Sequence, residues 1–187
     1  MTRRSYVAAL DDLLVPEGFE RQGDEWIRER DGFLDIVNKQ VSVYLGVTAN
    51  VMCKDLTSQK ILLEVVPKGS PRLNFPDVFR VSELMGVPDL WWRRDPKGPA
   101  EMAEALRDYG LPYFDRMRSL EFQLSKLGRG ALMRHVSPTR LYRAVTLYRL
   151  GEFKETCESL VATSQFITPE EQSLLDAVRR RLGCSCP

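Results

Sequence analysis

The sequence predicts an α+β fold, in which an antiparallel β-meander of four to five strands is covered by helices and followed by an all-helical C-terminal appendage. Three observations support this prediction. Residues 19–66 are rich in β-branched and aromatic residues that alternate with turn signals. Residues 3–14 and 100–127 space their apolar residues as amphipathic helices do, and the pattern from residue 138 onwards is helical alone.

Composition sets the outer bounds of this fold. The chain has 187 residues, of which 43% are hydrophobic and 28% charged, so it is long and apolar enough to bury a core. We expect an α+β domain over residues 1–127 and a helical hairpin-like appendage over residues 128–187. No apolar run approaches the roughly 18–20 residues that span a bilayer, so we expect a cytoplasmic protein without a membrane partner. The four cysteines are scattered, and we expect them to be reduced thiols.

The N-terminal elements follow from local signals. A first helix is predicted over residues 3–14, ending before Pro16 and Gly18. Asp31-Gly32 is the strongest hairpin signal in the chain. The apolar stretch of residues 41–51 is too long for one ordinary strand, so we expect a bend or bulge, with Gly46 as its candidate position. A last strand is predicted from Ile61 to Val66.

A connection punctuated by proline and glycine follows, over residues 67–99, and its regular structure should be short. Helical patterning returns over residues 100–109 and again from Pro112 to Leu127. These two helices are the expected cover for the sheet. Gly128 and Gly130 then mark a joint in the chain.

Three helices are predicted after that joint. Ser137-Pro138 is a good helix start, because it supplies a capping hydroxyl and a first-turn proline. Gly151 ends that helix, and a second apolar stripe begins at Phe153. The third helix opens with Thr168-Pro169-Glu170-Glu171, in which Thr168 and Glu171 have the spacing of a capping box.

Several short motifs, in this order along the chain, resemble a bacterial family known as domain of unknown function 4304. They are Leu13-Leu14 to Gly18-Phe19, Ile36-Val37-Asn38-Lys39-Gln40, Arg80-Val81-Ser82-Glu83-Leu84-Met85-Gly86 followed by Trp91-Trp92, and Tyr109-Gly110-Leu111-Pro112-Tyr113-Phe114. The resemblance covers residues 1–127. It implies an α+β layout, and it implies no active site because the family has no established catalytic residues.

Residues 138–164 resemble a tetratricopeptide-type helical hairpin. The residues that fall near this repeat pattern are Ala144, Tyr148, Leu150-Gly151, Phe153 and Leu160. No second complete repeat follows. Because one such hairpin cannot bury both of its faces, we expect it to pack on the preceding domain or on another molecule.

No catalytic, cofactor-binding or metal-binding motif is found, so we predict no catalytic residues, no cofactor and no metal. His135 could act as a general base, but no carboxylate or cysteine lies near it in a familiar spacing, and a surface or linker role is the simpler interpretation. Cys184 and Cys186 could bind a soft metal, but two further ligands would be needed, and we expect a frayed tail.

Charge is unevenly distributed, although the formal net charge is only +1. Residues 1–35 carry nine acids against five arginines, whereas residues 122–151 carry six basic residues and no acid. Arginines with neighbouring aromatic residues could form an exposed positive surface in the second stretch, or merely a solvated face paired with acids elsewhere in the chain. The candidate residues in this stretch are Arg129, Arg134, Tyr142, Arg143 and Arg149.

The other candidate segment is Trp91-Trp92-Arg93-Arg94. Adjacent residues in an extended chain face opposite ways, so one ring can enter the core while the other stays near the surface as an anchor for a partner. Packing alone is the alternative interpretation.

The function that these features favour is a non-enzymatic protein-interaction module of a bacterium, with an immunity-like role as one version. The alternative is binding of nucleic acid or another polyanion through residues 129–149. Self-association into a homo-oligomer is left open.

Overall fold

The computed structural model describes residues 5–66, 78–87, 89–127, 138–161 and 168–184. Its contacts divide the chain into two compact units. The first unit is formed by Met1–Lys54 and Val78–Met117, and the second by Asp55–Asp77 and Arg118–Pro187. The sequence-based domain boundary at residue 127 stays a prediction.

The first unit contains helix α1 (Tyr6–Leu14) and a five-stranded sheet in the order β1-β2-β3-β4-β5. The strands are β1 (Glu20–Gln22), β2 (Glu25–Arg30), β3 (Phe33–Ser42), β4 (Gly46–Asp55) and β5 (Val78–Arg80). Neighbours along the chain are neighbours in the sheet, so the predicted antiparallel meander is confirmed. Asp31 and Gly32 both have positive φ, as a tight hairpin turn between β2 and β3 requires.

The stretch 41–51 forms a hairpin, not one bent strand. Strand β3 ends at Ser42, a turn occupies Val43–Leu45, and β4 begins at Gly46. The backbone N–H of Leu45 donates to the Ser42 Oγ at 3.2 Å, which closes the turn. The expected interruption is therefore present near Gly46, but the chain reverses direction there.

The strand predicted over Ile61–Val66 is wrong, because this segment belongs to helix α2 (Leu56–Leu63) and the turn after it. Asp55 is the cause, since its carboxylate accepts hydrogen bonds from the backbone N–H groups of Thr57 and Ser58 at 3.0 Å each. A side-chain cap of this kind stabilises a helix start by about 1 kcal/mol, enough to offset the weak β preference of a few branched residues.

Helices cover the sheet within the first unit, but the predicted cover helix from Pro112 to Leu127 is divided: its first part ends at Arg116, and the helix that follows belongs to the second unit. The covering elements are α3 (Val81–Leu84), α4 (Gly98–Ala105), a π-helical turn (Leu106–Gly110) and α5 (Leu111–Arg116). Ring centroids of Phe19 and Phe114 lie 5.8 Å apart, and those of Phe79 and Tyr113 lie 5.5 Å apart. These contacts join the sheet side of the core to α5.

A buried ion pair links β2 to β3. Arg28 donates from Nε and Nη2 to the Asp35 Oδ2, at 3.1 and 2.8 Å, and the Cys53 Sγ lies 3.2 Å from the other carboxylate oxygen. The guanidinium also lies 4.4 Å from the ring centroid of Phe19. Arg28 and Asp35 are directly paired across the strands, so a slip in register would separate two buried charges.

The second unit contains α2, α6 (Leu120–Lys126), α7 (Pro138–Arg149), α8 (Phe153–Ser159) and α9 (Pro169–Arg181). The capping box of α9 is confirmed: the Glu171 N–H donates to the Thr168 Oγ1, and the Thr168 N–H donates to the Glu171 Oε2, both at 3.2 Å. The predicted stripe of α8 is only partly internal, because Leu160 is buried whereas Phe153 is exposed.

A disulfide joins Cys157 in α8 to Cys184 after α9, with Cα atoms 5.4 Å apart. The expectations that these two cysteines are reduced thiols and that Cys184 belongs to a frayed tail are therefore wrong. Helix α9 carries the chain back towards α8, and the Cys184 N–H donates to the Arg179 carbonyl at 2.9 Å. Cys53 is buried and forms no disulfide among the described residues, whereas Cys186 lies outside them.

Candidate protein-interaction surface

Three adjacent apolar side chains project from the turn between β3 and β4. The exposed fractions are 82% for Val43, 96% for Tyr44 and 55% for Leu45. We call these three residues the hairpin tip. Isolated exposed apolar residues are common on proteins, whereas three adjacent ones form an exposed apolar patch, a feature that is enriched at binding surfaces.

The tryptophan–arginine segment is fixed beside this hairpin. Trp92 forms a β-bridge with Val47, in which the Val47 N–H donates to the Trp92 carbonyl at 3.0 Å and the Trp92 N–H donates to the Val47 carbonyl at 2.8 Å. Gly46 permits the close approach, since it has φ +122° and a Cβ atom there would lie 2.3 Å from the Trp92 carbonyl oxygen. The Arg94 Nη2 then donates to the Ser42 carbonyl at 3.0 Å.

The opposite side of this segment is held as well. The Tyr6 hydroxyl donates to the Arg93 carbonyl at 2.5 Å, and burial together with nearby Asp95 and Glu101 raises the pKa of Tyr6 to about 12. The Asp95 carboxylate accepts from the N–H groups of Gly98 and Lys97, which lowers the pKa of Asp95. The backbone that carries Arg93 and Arg94 is therefore fixed before any partner binds.

The two tryptophans alternate as predicted. Trp92 is 5% exposed and packs in the core, whereas Trp91 is half-buried. The Trp91 Nε1 donates to the Asp89 carboxylate at 3.1 Å, and the Arg80 guanidinium lies 5.1 Å from its ring centroid. Trp92 thus positions the arginines, and Trp91 keeps one partly open face.

We call the hairpin tip together with Arg93 and Arg94 the hairpin surface. Both arginines are exposed, and the sequence between Asp35 and Asp55 contains no acid. Lys39 on β3 is paired with Asp24 at 2.7 Å. Asp95 lies beside the two arginines and offsets part of their charge. The hairpin surface therefore combines apolar side chains with a small excess of positive charge, and tyrosine and arginine are residues typical of binding hot spots.

The described part of the arginine-rich region, helix α7, contributes mainly to the interior of the second unit. Tyr142 is 1% exposed, so the expectation that it projects from an exposed face is wrong. Burial, with a smaller effect of Asp55, raises the pKa of Tyr142 to about 12. Most of α7 is enclosed by neighbouring helices, which a single apolar stripe in the sequence did not reveal.

Arg149 is paired inside the same unit. Its Nη1 donates to the Asp55 carboxylate and, at 3.0 Å, to the Ser58 Oγ. Arg140, in the same basic stretch, is 6% exposed and donates from Nε to the Ser159 carbonyl at 2.7 Å. Arg143 is half-buried. Arg129, Arg134 and His135 lie outside the described residues.

The hairpin tip was not among the residues that the sequence singled out. Its signal was present, since Val41 to Leu45 is an acid-free apolar run that includes a tyrosine, but the same pattern suits a buried strand. Among the described residues no cluster of histidine, cysteine and carboxylate side chains could hold a metal ion. Nor does any helix in that part of the chain have the length and apolar character of a membrane span.

Comparisons with protein-family models, curated proteins and solved structures found no match to this chain. The resemblance to domain of unknown function 4304 and the tetratricopeptide-like hairpin therefore stay predictions.

Proposed function

We propose that this chain is a non-enzymatic protein-interaction module whose binding site is the hairpin surface. The observation that carries the proposal is the exposure of Val43, Tyr44 and Leu45, with 96% of Tyr44 accessible, beside two exposed arginines on a backbone segment that is held in place. Tyrosine and arginine are enriched among the residues that dominate binding energy, and one such side chain contributes about 2 kcal/mol or more when it is buried by a partner.

The rigidity of this site adds to the argument. Arg94 is bonded to the hairpin backbone, and the Val47–Trp92 bridge fixes its segment against β4. A partner therefore need not order this backbone segment, which lowers the entropy loss on binding, although the exposed side chains of the hairpin tip still become ordered. A loop tip with a supported backbone is typical of binding sites in small domains.

The test compares binding partners of the wild-type chain with those of a tip variant, Val43→Asp/Leu45→Asp. Phe153→Asp is the matched control, because Phe153 is another apolar residue with 59% exposure, in the other unit. The three immobilised proteins are incubated with an extract of the native cells. We expect a protein that is retained by the wild type and the control and lost from the tip variant. Equal retention by all three would contradict the proposal.

Binding of nucleic acid through residues 129–149 stays a second prediction. The acid-free sequence of that region favours it, whereas the internal bonds of Arg140 and Arg149 leave fewer described arginines for phosphates. Titration of random DNA and RNA at decreasing salt concentration tests it, since phosphate contacts strengthen steeply as salt is removed. The absence of binding at the lowest salt would contradict it.

Cytoplasmic placement also stays a prediction, and the Cys157–Cys184 disulfide is the observation against it. Disulfides persist in oxidising compartments and are rare in the reducing cytosol. Fractionation of native cells, combined with alkylation of free thiols before lysis, would report both the compartment and the redox state of this pair.

A further inference from the structure

A second surface of the first unit complements the hairpin surface. A groove of about 530 Å³ runs between α1 and α4. Leu13 and Pro16 give it apolar walls, and three acidic residues, Asp12, Glu17 and Glu104, line it together with one base, Arg107. The groove is therefore more polar than apolar, with an apolar part around Leu13 and Pro16, and it carries an excess of negative charge.

The groove and the hairpin surface are complementary in charge. The tip offers a tyrosine flanked by Val43 and Leu45, with Arg93 and Arg94 behind it. Opposite charges around an apolar contact steer association and suppress wrong orientations. The volume of the groove lies in the size range of small-ligand pockets, so it is sufficient for one aromatic side chain.

The two surfaces lie at different ends of α1. Tyr6 and Val7, in the first turn of that helix, border the same cavity as Val41 of the hairpin. The acidic groove is instead lined by the later α1 residues, such as Leu13, and by α4. A contact between tip and groove therefore pairs two unlike patches, and a second molecule supplies one of them.

We propose that copies of this chain associate head to tail, with the hairpin tip of one copy in the α1–α4 groove of the next. This inference rests on the proposed function, because it uses the same hairpin surface and names a second copy of the chain as its occupant. An interface between unlike patches does not close on itself as a two-fold dimer does, so it yields rings or chains of molecules. A tip in a groove buries less area than a standard interface, so the contact should be weak, with a Kd roughly in the micromolar to submillimolar range.

Sedimentation equilibrium of the purified full-length chain tests the proposal. The tip variant is Tyr44→Glu, and the groove variant is Glu17→Arg/Glu104→Arg. All three positions are exposed, so both variants should fold as the wild type does, which circular dichroism verifies. Gln22→Glu, on the exposed edge strand β1, is the control for an added surface charge.

We expect the average mass of the wild type and the control to rise with concentration, and each variant alone to stay at the monomer mass with an association at least tenfold weaker. An equimolar mixture of the two variants should form dimers and nothing larger, because it contains one intact tip and one intact groove. Three results would overturn the inference. The wild type could stay monomeric, a tip or groove variant could associate as the wild type does, or the mixture could stay monomeric. A monomeric wild type would leave the proposed function standing, because capture of a different protein from the cell extract tests that function separately.

Discussion

Reduction of the Cys157–Cys184 disulfide is expected to destabilise the second unit. The bond joins α8 to the residue after α9, at a sequence separation of 27. Because a cross-link restricts the unfolded chain, a loop of this length is worth about 3.5 kcal/mol by chain-entropy reasoning near room temperature. Reduction should leave the native packing unchanged, because Cys184 is buried and its thiol can stay in the same place. No gain in packing energy therefore offsets this loss.

Urea unfolding with and without a reductant, followed by circular dichroism, measures this effect. We expect the oxidised protein to unfold at a higher urea concentration, with a free energy of unfolding larger by about 3.5 kcal/mol. A Cys157→Ala/Cys184→Ala variant is the control, and its unfolding should not respond to the reductant. Equal stability of the oxidised and reduced wild type would refute the reasoning, as would a titration that finds all four cysteines as thiols in protein purified without reductant.

Three further predictions concern single side chains. Gly46→Ala should destabilise the chain by about 2 kcal/mol or more in urea unfolding, because a Cβ atom there adds a clash with the Trp92 backbone to the strain of positive φ. Gly23→Ala is the matched control, since Gly23 also has positive φ but a Cβ atom there would have nothing within 4 Å. An equal loss of stability in both variants would contradict the role of the close approach. Arg149→Met should lower the free energy of unfolding by about 3 kcal/mol, because it leaves the Asp55 carboxylate, which is 1% exposed, without its ion pair. In the same assay the double variant Arg149→Met/Asp55→Asn should lose less stability than the sum of the two single variants. Strict additivity would refute the coupling. The pKa of Tyr6 is raised from 10.0 to about 12, mainly by burial, so the stability that its hydroxyl contributes is fully present below pH 10 and is lost as the pH rises through 12. Over this pH window, the unfolding midpoint of Tyr6→Phe should therefore fall less than that of the wild type. Parallel pH profiles of the two proteins would contradict the assignment.

The sheet was predictable from sequence because its turns are chemically specific. Asp31-Gly32 can adopt the positive φ angles of a tight hairpin, and the segments around it are rich in β-branched and aromatic residues. The start of α9 was predictable for the same reason, since Thr168 and Glu171 satisfy each other's backbone groups. Where a few neighbouring residues decide the conformation, the sequence is sufficient.

Helix α2 was not predictable in this way, because a local cap competes with local β preference. Ile61, Val65 and Val66 favour a strand, whereas Asp55 favours a helix that begins at Leu56. Arg149 adds a bond to the same Asp55 carboxylate from a residue 94 positions away. Such a contact depends on tertiary packing, which has no signature in the sequence around residue 55.

The interaction surface shows both situations. The opposite environments of Trp91 and Trp92 follow from the alternation of an extended chain, and the structure bears them out. The pairing of Trp92 with Val47 and the bond from Arg94 to the Ser42 carbonyl join segments about 50 residues apart, as do many sheet contacts, and no local pattern predicts them. The disulfide was missed for the same reason, because only the folded chain brings α8 and the end of α9 together.

Photo-crosslinking from position 44 in living native cells reports whether the hairpin tip binds a protein. A photoreactive phenylalanine replaces Tyr44 in one strain and Phe153 in another, since both are exposed aromatic residues. We expect irradiation to join the chain to a second polypeptide from position 44 and not from position 153. A tip that yields no crosslinked polypeptide, or the same products as position 153, would contradict this expectation.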